Sequence, residues 1–121
     1  MFSLTSSMRY YLYSIPTDMR RSFYTLSGMV TDLMGGNIQD GDVYIFVNRP
    51  CTSMKIFHME CGRLVIYHMG LGSGCFKLPV FDQGTNTFRT SWQDLIIMVQ
   101  GVASNDKVDK KRRKNIKKNW K

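Results

Sequence analysis

The sequence predicts an α+β domain: an antiparallel β-meander covered by two helices, in the order β-α-β-β-β-β-β-α, with a basic C-terminal tail. Between Val43 and Arg89, short apolar runs rich in β-branched and aromatic residues alternate with turns bearing Gly, Asn and Pro, as in consecutive strands joined by hairpins. One segment before these runs and one after them repeat apolar residues every three to four positions, the helical period. With 121 residues, 43% of them apolar, the chain can build one modest core and is too short for a multidomain enzyme.

Arg9 to Tyr13 opens the order as an aromatic strand that ends before Ile15 and Pro16. Thr17 or Asp18 then offers a side-chain oxygen to the orphan amides of a helix start. Met19, Phe23, Leu26, Val30 and Leu33 put one apolar stripe along a helix of about four turns. Gly35-Gly36-Asn37, which tolerate left-handed backbone, stop it. Val43 to Val47, Met54 to Met59 and Leu64 to Met69 read as the meander, broken by Asn48-Arg49-Pro50 and by the turn Glu60-Cys61-Gly62-Arg63. Phe76 to Phe81 and Thr87 to Arg89 flank a polar turn and read as a further hairpin, with Pro79 assigning it to a sheet edge. Thr90 or Ser91, with Gln93 or Asp94 as the reciprocal partner, caps a second helix whose apolar face is Trp92, Leu95, Ile96, Val99 and Val102. Residues 1–105 are expected to form a single domain and 106–121 a flexible polybasic tail.

The formal charge of +8 belongs to that tail. From Lys107 to Lys121 there are nine basic residues, among them Lys110, Lys111, Arg112, Arg113 and Lys114, and one acid, Asp109; the rest of the chain balances. Like charges at this density favour an extended, solvated chain, which attracts polyanions. Nucleic acid is the favoured partner, and a solubilising tail with no partner is the plain alternative. A membrane surface fits less well, because Val108, Ile116 and Trp120 are the tail's only large apolar residues. The longest apolar runs, Val43 to Val47 and Leu95 to Val99, are five residues each, far below a bilayer span, and no export signal is evident, so an intracellular protein is expected.

No catalytic constellation is visible. Cys51, Cys61 and Cys75 form no CxxC pair, and His58-x-x-Cys61 alone cannot supply the four ligands of structural zinc. Gly70-Leu71-Gly72-Ser73-Gly74 is followed by Cys75-Phe76 rather than the residues of a phosphate-binding loop. The acids are scattered, which does not suit two-metal nucleotidyl transfer. No enzyme activity, cofactor or metal, and no small-molecule substrate, is therefore expected. In the body, Arg20 and Arg21 lie in the first turn of the expected helix, where cations oppose its dipole and an anionic partner would offset the cost. Ordinary solvated arginines are the alternative.

Several stretches resemble one family. Arg9-Tyr10-Tyr11-Leu12-Tyr13 and Pro16-Thr17-Asp18-Met19-Arg20-Arg21-Ser22-Phe23 resemble the opening of the TnpB accessory proteins encoded by the second open reading frame of insertion sequence family 66 transposons. Gly41-Asp42-Val43-Tyr44-Ile45-Phe46-Val47-Asn48-Arg49, Met54-Lys55-Ile56, Gly62-Arg63-Leu64-Val65-Ile66-Tyr67, Phe76-Lys77-Leu78-Pro79 and the segment from Trp92 to Gly101 continue the resemblance, from about residue 7 to 103. It implies a non-catalytic bacterial protein of the cytoplasm that assists transposition beside a separate transposase, with DNA (transposon ends or non-specific duplex), the transposase, or both as partner. Arg20, Arg21, Arg49, Lys55 and Arg63 are the body candidates for phosphate or transposase contact; Lys110 to Lys114 are those of the tail. The alternative is a protein–protein adaptor whose body binds only the transposase, the tail adding non-specific nucleic-acid affinity.

Overall fold

The computed structural model of the chain describes residues 4–79 and 86–100. Five strands, β1 (Tyr10–Tyr13), β2 (Val43–Val47), β3 (Ser53–Glu60), β4 (Arg63–Gly70) and β5 (Thr87–Thr90), form one sheet in the order β4-β3-β2-β1-β5. Helix α1 (Phe23–Asp32) connects β1 to β2, and α2 (Trp92–Gln100) follows β5. The α+β class and the two covering helices are those the sequence predicts.

The helices lie on opposite faces. Leu26 and Val30 of α1 pack with Tyr13, Tyr44, Phe46 and Phe57, while Leu95 and Met98 of α2 pack with Tyr10, Leu12, Val43, Ile45, Met54 and Ile56. The alternation of strand side chains sorts these residues. Central β2 is buried at all five positions, which explains its uninterrupted apolar sequence.

Three of the four strand pairings are antiparallel; β1 and β2 run parallel, with Tyr10 opposite Val43 and Leu12 opposite Ile45. A helical crossover between two neighbouring strands returns the chain to its starting end, so the second strand must run the same way as the first. The turn from β3 to β4 is tight: Cys61 and Gly62 both take positive φ, 48° and 76°, as a two-residue hairpin turn of the primed type requires.

Two local expectations are corrected. Helix α1 begins at Phe23, with Ser22 in the N-cap position, not at Thr17 or Asp18. Tertiary contacts claim the preceding loop: the Thr17 amide donates to the Val47 carbonyl at 2.9 Å, and Lys55 Nζ donates to the Arg21 carbonyl at 2.6 Å. Arg20 and Arg21 therefore precede the helix, and the dipole cost assigned to them in its first turn does not arise.

The second correction concerns the stretch expected as a strand from Phe76. Residues 76–79 carry no strand, and 80 and 81 lie outside the described residues. Phe76 and Leu78 are buried against the core instead, with the Phe76 amide donating to the Cys51 carbonyl and the Lys77 amide to the Met98 carbonyl. The partner of β5 is consequently β1, and β5 takes the edge position that the sequence assigns to it. At α2 the expected cap is present: the Asp94 amide donates to Ser91 Oγ at 3.1 Å, and Thr90 Oγ1 donates to the Asp94 carboxylate at 3.4 Å.

Candidate nucleic-acid interface

The sheet has two ends that differ in charge. At one end β1 finishes, β2 turns into β3, and β4 runs out into the segment holding Cys75 and Phe76. Arg20, Arg21, Arg49, Lys55 and Lys77 lie here, with Asp18 as the only acid among the described residues at this end. At the other end, where β1 begins and β3 turns into β4, Asp40, Asp42 and Glu60 gather, with Asp32 in the last turn of α1 and Asp94 in the first turn of α2. Arg9, Arg63 and, nearer the middle of its strand, Arg89 are the cations on that side.

Around the basic end, two shallow hollows share Asp18. One is lined by Pro16, Thr17, Met19, Asn48 and Arg49, the other by Arg20, Arg21, Ser22, Phe23 and Tyr24. The connection from β2 to β3 is held by Asn48, whose Oδ1 accepts from the amides of Thr52 and Ser53 while Nδ2 donates to Thr52 Oγ1. That arrangement fixes Arg49 on an exposed turn beside the loop that carries Arg20 and Arg21. Arg20 embraces Asp18, its Nε and Nη2 reaching both carboxylate oxygens at 2.6 to 3.1 Å. The Arg20 guanidinium and backbone amide hold the Asp18 carboxyl well below the usual carboxylate range. The pair is solvated, so it fixes the shape of the loop more than it stabilises the fold.

The structure thus gathers Arg20, Arg21 and Arg49 at the surface, buries Lys55 beneath their loop and places Arg63 at the other end of the sheet. Lys55 points to the α1 face beside Phe46's row, is 8% exposed, and gives its ammonium to the Arg21 carbonyl. Its evident task is to anchor the loop. Arg63 sits opposite Glu60 at the far turn, seven strand steps from Ser53, or roughly 23 Å away. Lys110, Lys111, Arg112, Arg113 and Lys114 lie outside the described residues. However, α2 starts at the acidic end and comes back to the basic one: Met98, in its last turn, accepts from the Lys77 amide beside Cys51. The chain therefore leaves the described fold close to Arg49, with the polybasic segment following in sequence.

Two features of this surface were not singled out from the sequence. Lys77 joins the basic end because its neighbours Phe76 and Leu78 are buried there. Tyr24 is 96% exposed beside Arg20 and Arg21; the apolar stripe Phe23, Leu26, Val30 excludes it, so its exposure was readable in the helical period. His58, weighed above as half of a metal pair, is buried with Nε2 2.8 Å from Glu60 Oε1, which also accepts from the Tyr67 hydroxyl. Cys61 is exposed in the turn, and among the described residues no three His, Cys, Asp or Glu side chains converge closely enough to hold a metal ion. No helix among these residues is long and apolar enough to cross a membrane.

Comparison with known proteins agrees with the resemblance of the sequence motifs. Neither the curated proteins nor the solved structures contain a match. One family does match, that of the IS66 Orf2-like proteins, over residues 8–109, a span that takes in every strand, both helices and the beginning of the basic segment. The chain belongs to this family of insertion-sequence-associated proteins.

Proposed function

We propose that the protein is a non-catalytic accessory factor of a bacterial insertion sequence, acting in the cytoplasm, which assists transposition by binding DNA through its basic end and tail beside a separate transposase. One observation carries this: α2 returns the chain to the end of the sheet where Arg20, Arg21 and Arg49 are exposed, and the nine tail cations follow it in sequence. Phosphates would meet the exposed guanidinium groups of Arg20, Arg21 and Arg49 at that end. Such contacts set position and affinity without reading sequence.

The test is a salt series of fluorescence-anisotropy titrations on duplex from the element's terminal repeat and on a scrambled duplex. The full chain, a truncation ending at Asn105, and the variant Arg20→Ala/Arg21→Ala/Arg49→Ala are compared. Five tail phosphates would contribute roughly −4.5 to the slope of log K against log salt, and three body contacts roughly −2.7 more. Loss of salt-dependent binding in the truncation together with an unchanged slope in the triple variant would remove the body from the interface.

A second reading is the adaptor, favoured by Tyr24, 96% exposed beside the half-exposed Phe23, and by Arg20's engagement with Asp18. An exposed tyrosine flanked by arginine suits the centre of a protein interface. On that reading Tyr24→Ala weakens capture by the purified transposase and leaves the duplex titration unchanged.

A further inference from the structure

Strand β4 is one outer edge of the sheet, and no strand among the described residues pairs with its far side. Its register with β3 is unbroken over eight pairs, from Ser53 with Gly70 to Glu60 with Arg63, so no bulge twists the edge away. Folded proteins usually protect such an edge with lysine, proline, a bulge or a cover. The sequence from Arg63 to Gly70 has no lysine or proline, its one charged residue is Arg63 at the strand's first position, and the apolar run from Leu64 to Tyr67 is partly exposed. The opposite edge differs: β5 has four residues and presents Arg89 to solvent.

We propose that β4 pairs antiparallel with β4 of a second copy about a two-fold axis, joining two five-stranded sheets into one of ten. An exposed ladder of backbone donors and acceptors is satisfied by a strand, and a two-fold axis satisfies both copies with one contact. The register favours self-pairing. With Ile66 on the axis, Arg63 comes opposite Met69 of the second copy; with Val65 on the axis, it comes opposite Tyr67. In neither case do like charges face each other across the seam. The direction favours it too. β4 begins at the acidic end of the sheet and finishes at the basic end, so antiparallel pairing sets the acidic end of each copy beside the basic end of the other. Parallel pairing would set like ends together.

The experiment is sedimentation equilibrium of the full chain over a concentration series, with hydrogen exchange of backbone amides at the same concentrations. A dimer is expected whose formation slows exchange along β4, leaves β5 unaffected and reverses on dilution. Leu64→Lys, at an exposed edge position, is expected to weaken association about tenfold, since the change occurs at both symmetric positions. A chain that stays monomeric throughout overturns the proposal, as does a dimer that leaves β4 exchange unchanged. Protection of β4 that persists in dilute monomer also overturns it, because a segment of the same chain then covers the edge. Should Leu64→Lys fail to fold by circular dichroism, the exchange series on the unaltered chain decides alone.

Discussion

The basic end of the sheet is assembled from irregular loops, the acidic end from tight turns. Residues 14–22 hang on the ends of β2 and β3 by the Thr17 amide and the Lys55 ammonium, and Asn48 shapes the neighbouring connection with three hydrogen bonds. At the other end, Cys61 and Gly62 close a two-residue hairpin, and the short 3-10 turn Ile38–Asp40 is capped by Asn37 Oδ1 accepting from the Gln39 amide. Arg9 is held there by Asp42, Nε to Oδ1 at 2.8 Å. Charge balance over the body conceals this division, because the strands reverse direction and carry distant residues to the same end. A body with no net charge can therefore still present a positive surface to phosphate.

Charge reversal at each end should separate them most. Arg20→Glu/Arg21→Glu/Arg49→Glu in the full chain is expected to weaken duplex binding about a hundredfold near 0.1 M salt, whereas Arg63→Glu/Arg89→Glu changes it less than about threefold. Equal losses from the two variants would mean that the end of the sheet does not matter.

The next effect concerns how the acidic end is built. A Cβ on Gly36 would collide with the hydroxyl end of the buried Tyr44 ring, so Gly36→Ala should cost roughly 1–3 kcal/mol of unfolding free energy in urea titrations. Tyr44→Phe in the same chain should recover part of that loss, measured as a double-mutant cycle. No recovery would place the strain elsewhere in the turn.

A pH series offers a smaller signal from the same residue. Burial pushes the Tyr44 phenol up to about 12 from its ordinary 10.0, with nearby Asp42 acting in the same direction. A group whose folded value is raised lends stability that is complete below its unfolded value and disappears as pH climbs through the folded one. Unfolding free energy should therefore fall between about pH 10 and 12, and less steeply in Tyr44→Phe. Tyr10 and Tyr13, raised by their own burial, retain the remainder. An identical decline in the variant would exclude Tyr44 as a contributor.

The smallest change belongs to Asp18. Asp18→Asn removes the one acid among the described residues of the basic end and releases Arg20, so duplex affinity should rise by about two- to fivefold, with the salt slope steeper by up to roughly 0.9. A fall in affinity would mean that the Asp18–Arg20 clasp positions the loop for binding.

Much of this architecture was legible in local sequence. Val43–Val47 is apolar at every position because both faces of β2 are covered, and Ser91 with Asp94 announced the start of α2. What local pattern could not reveal were decisions made by distant contacts. Thr17 and Asp18 look like helix caps until Val47 and Lys55 claim their loop. Phe76 and Leu78 alternate like strand residues but fill a gap between α2 and the turn at Cys51. For Lys55 the pattern is readable: alternation along β3 puts it on the face of Phe57, which a helix covers. The shared end of Arg20, Arg21 and Arg49 depends on β1 running parallel to β2, and no single segment states that.

Tyr10 lies opposite Thr90, so the first of the described strands pairs with the last of them. The hairpins from β2 to β4 close over short loops and can form early, whereas the β1–β5 seam must join residues as far apart in sequence as Tyr10 and Thr90. Until Thr87–Thr90 has been synthesised, β1 keeps an open edge and the apolar face that α2 covers stays wet. The fold is thus locked from its C-terminal side, and α2 is the segment that joins this late closure to the cationic stretch beyond it.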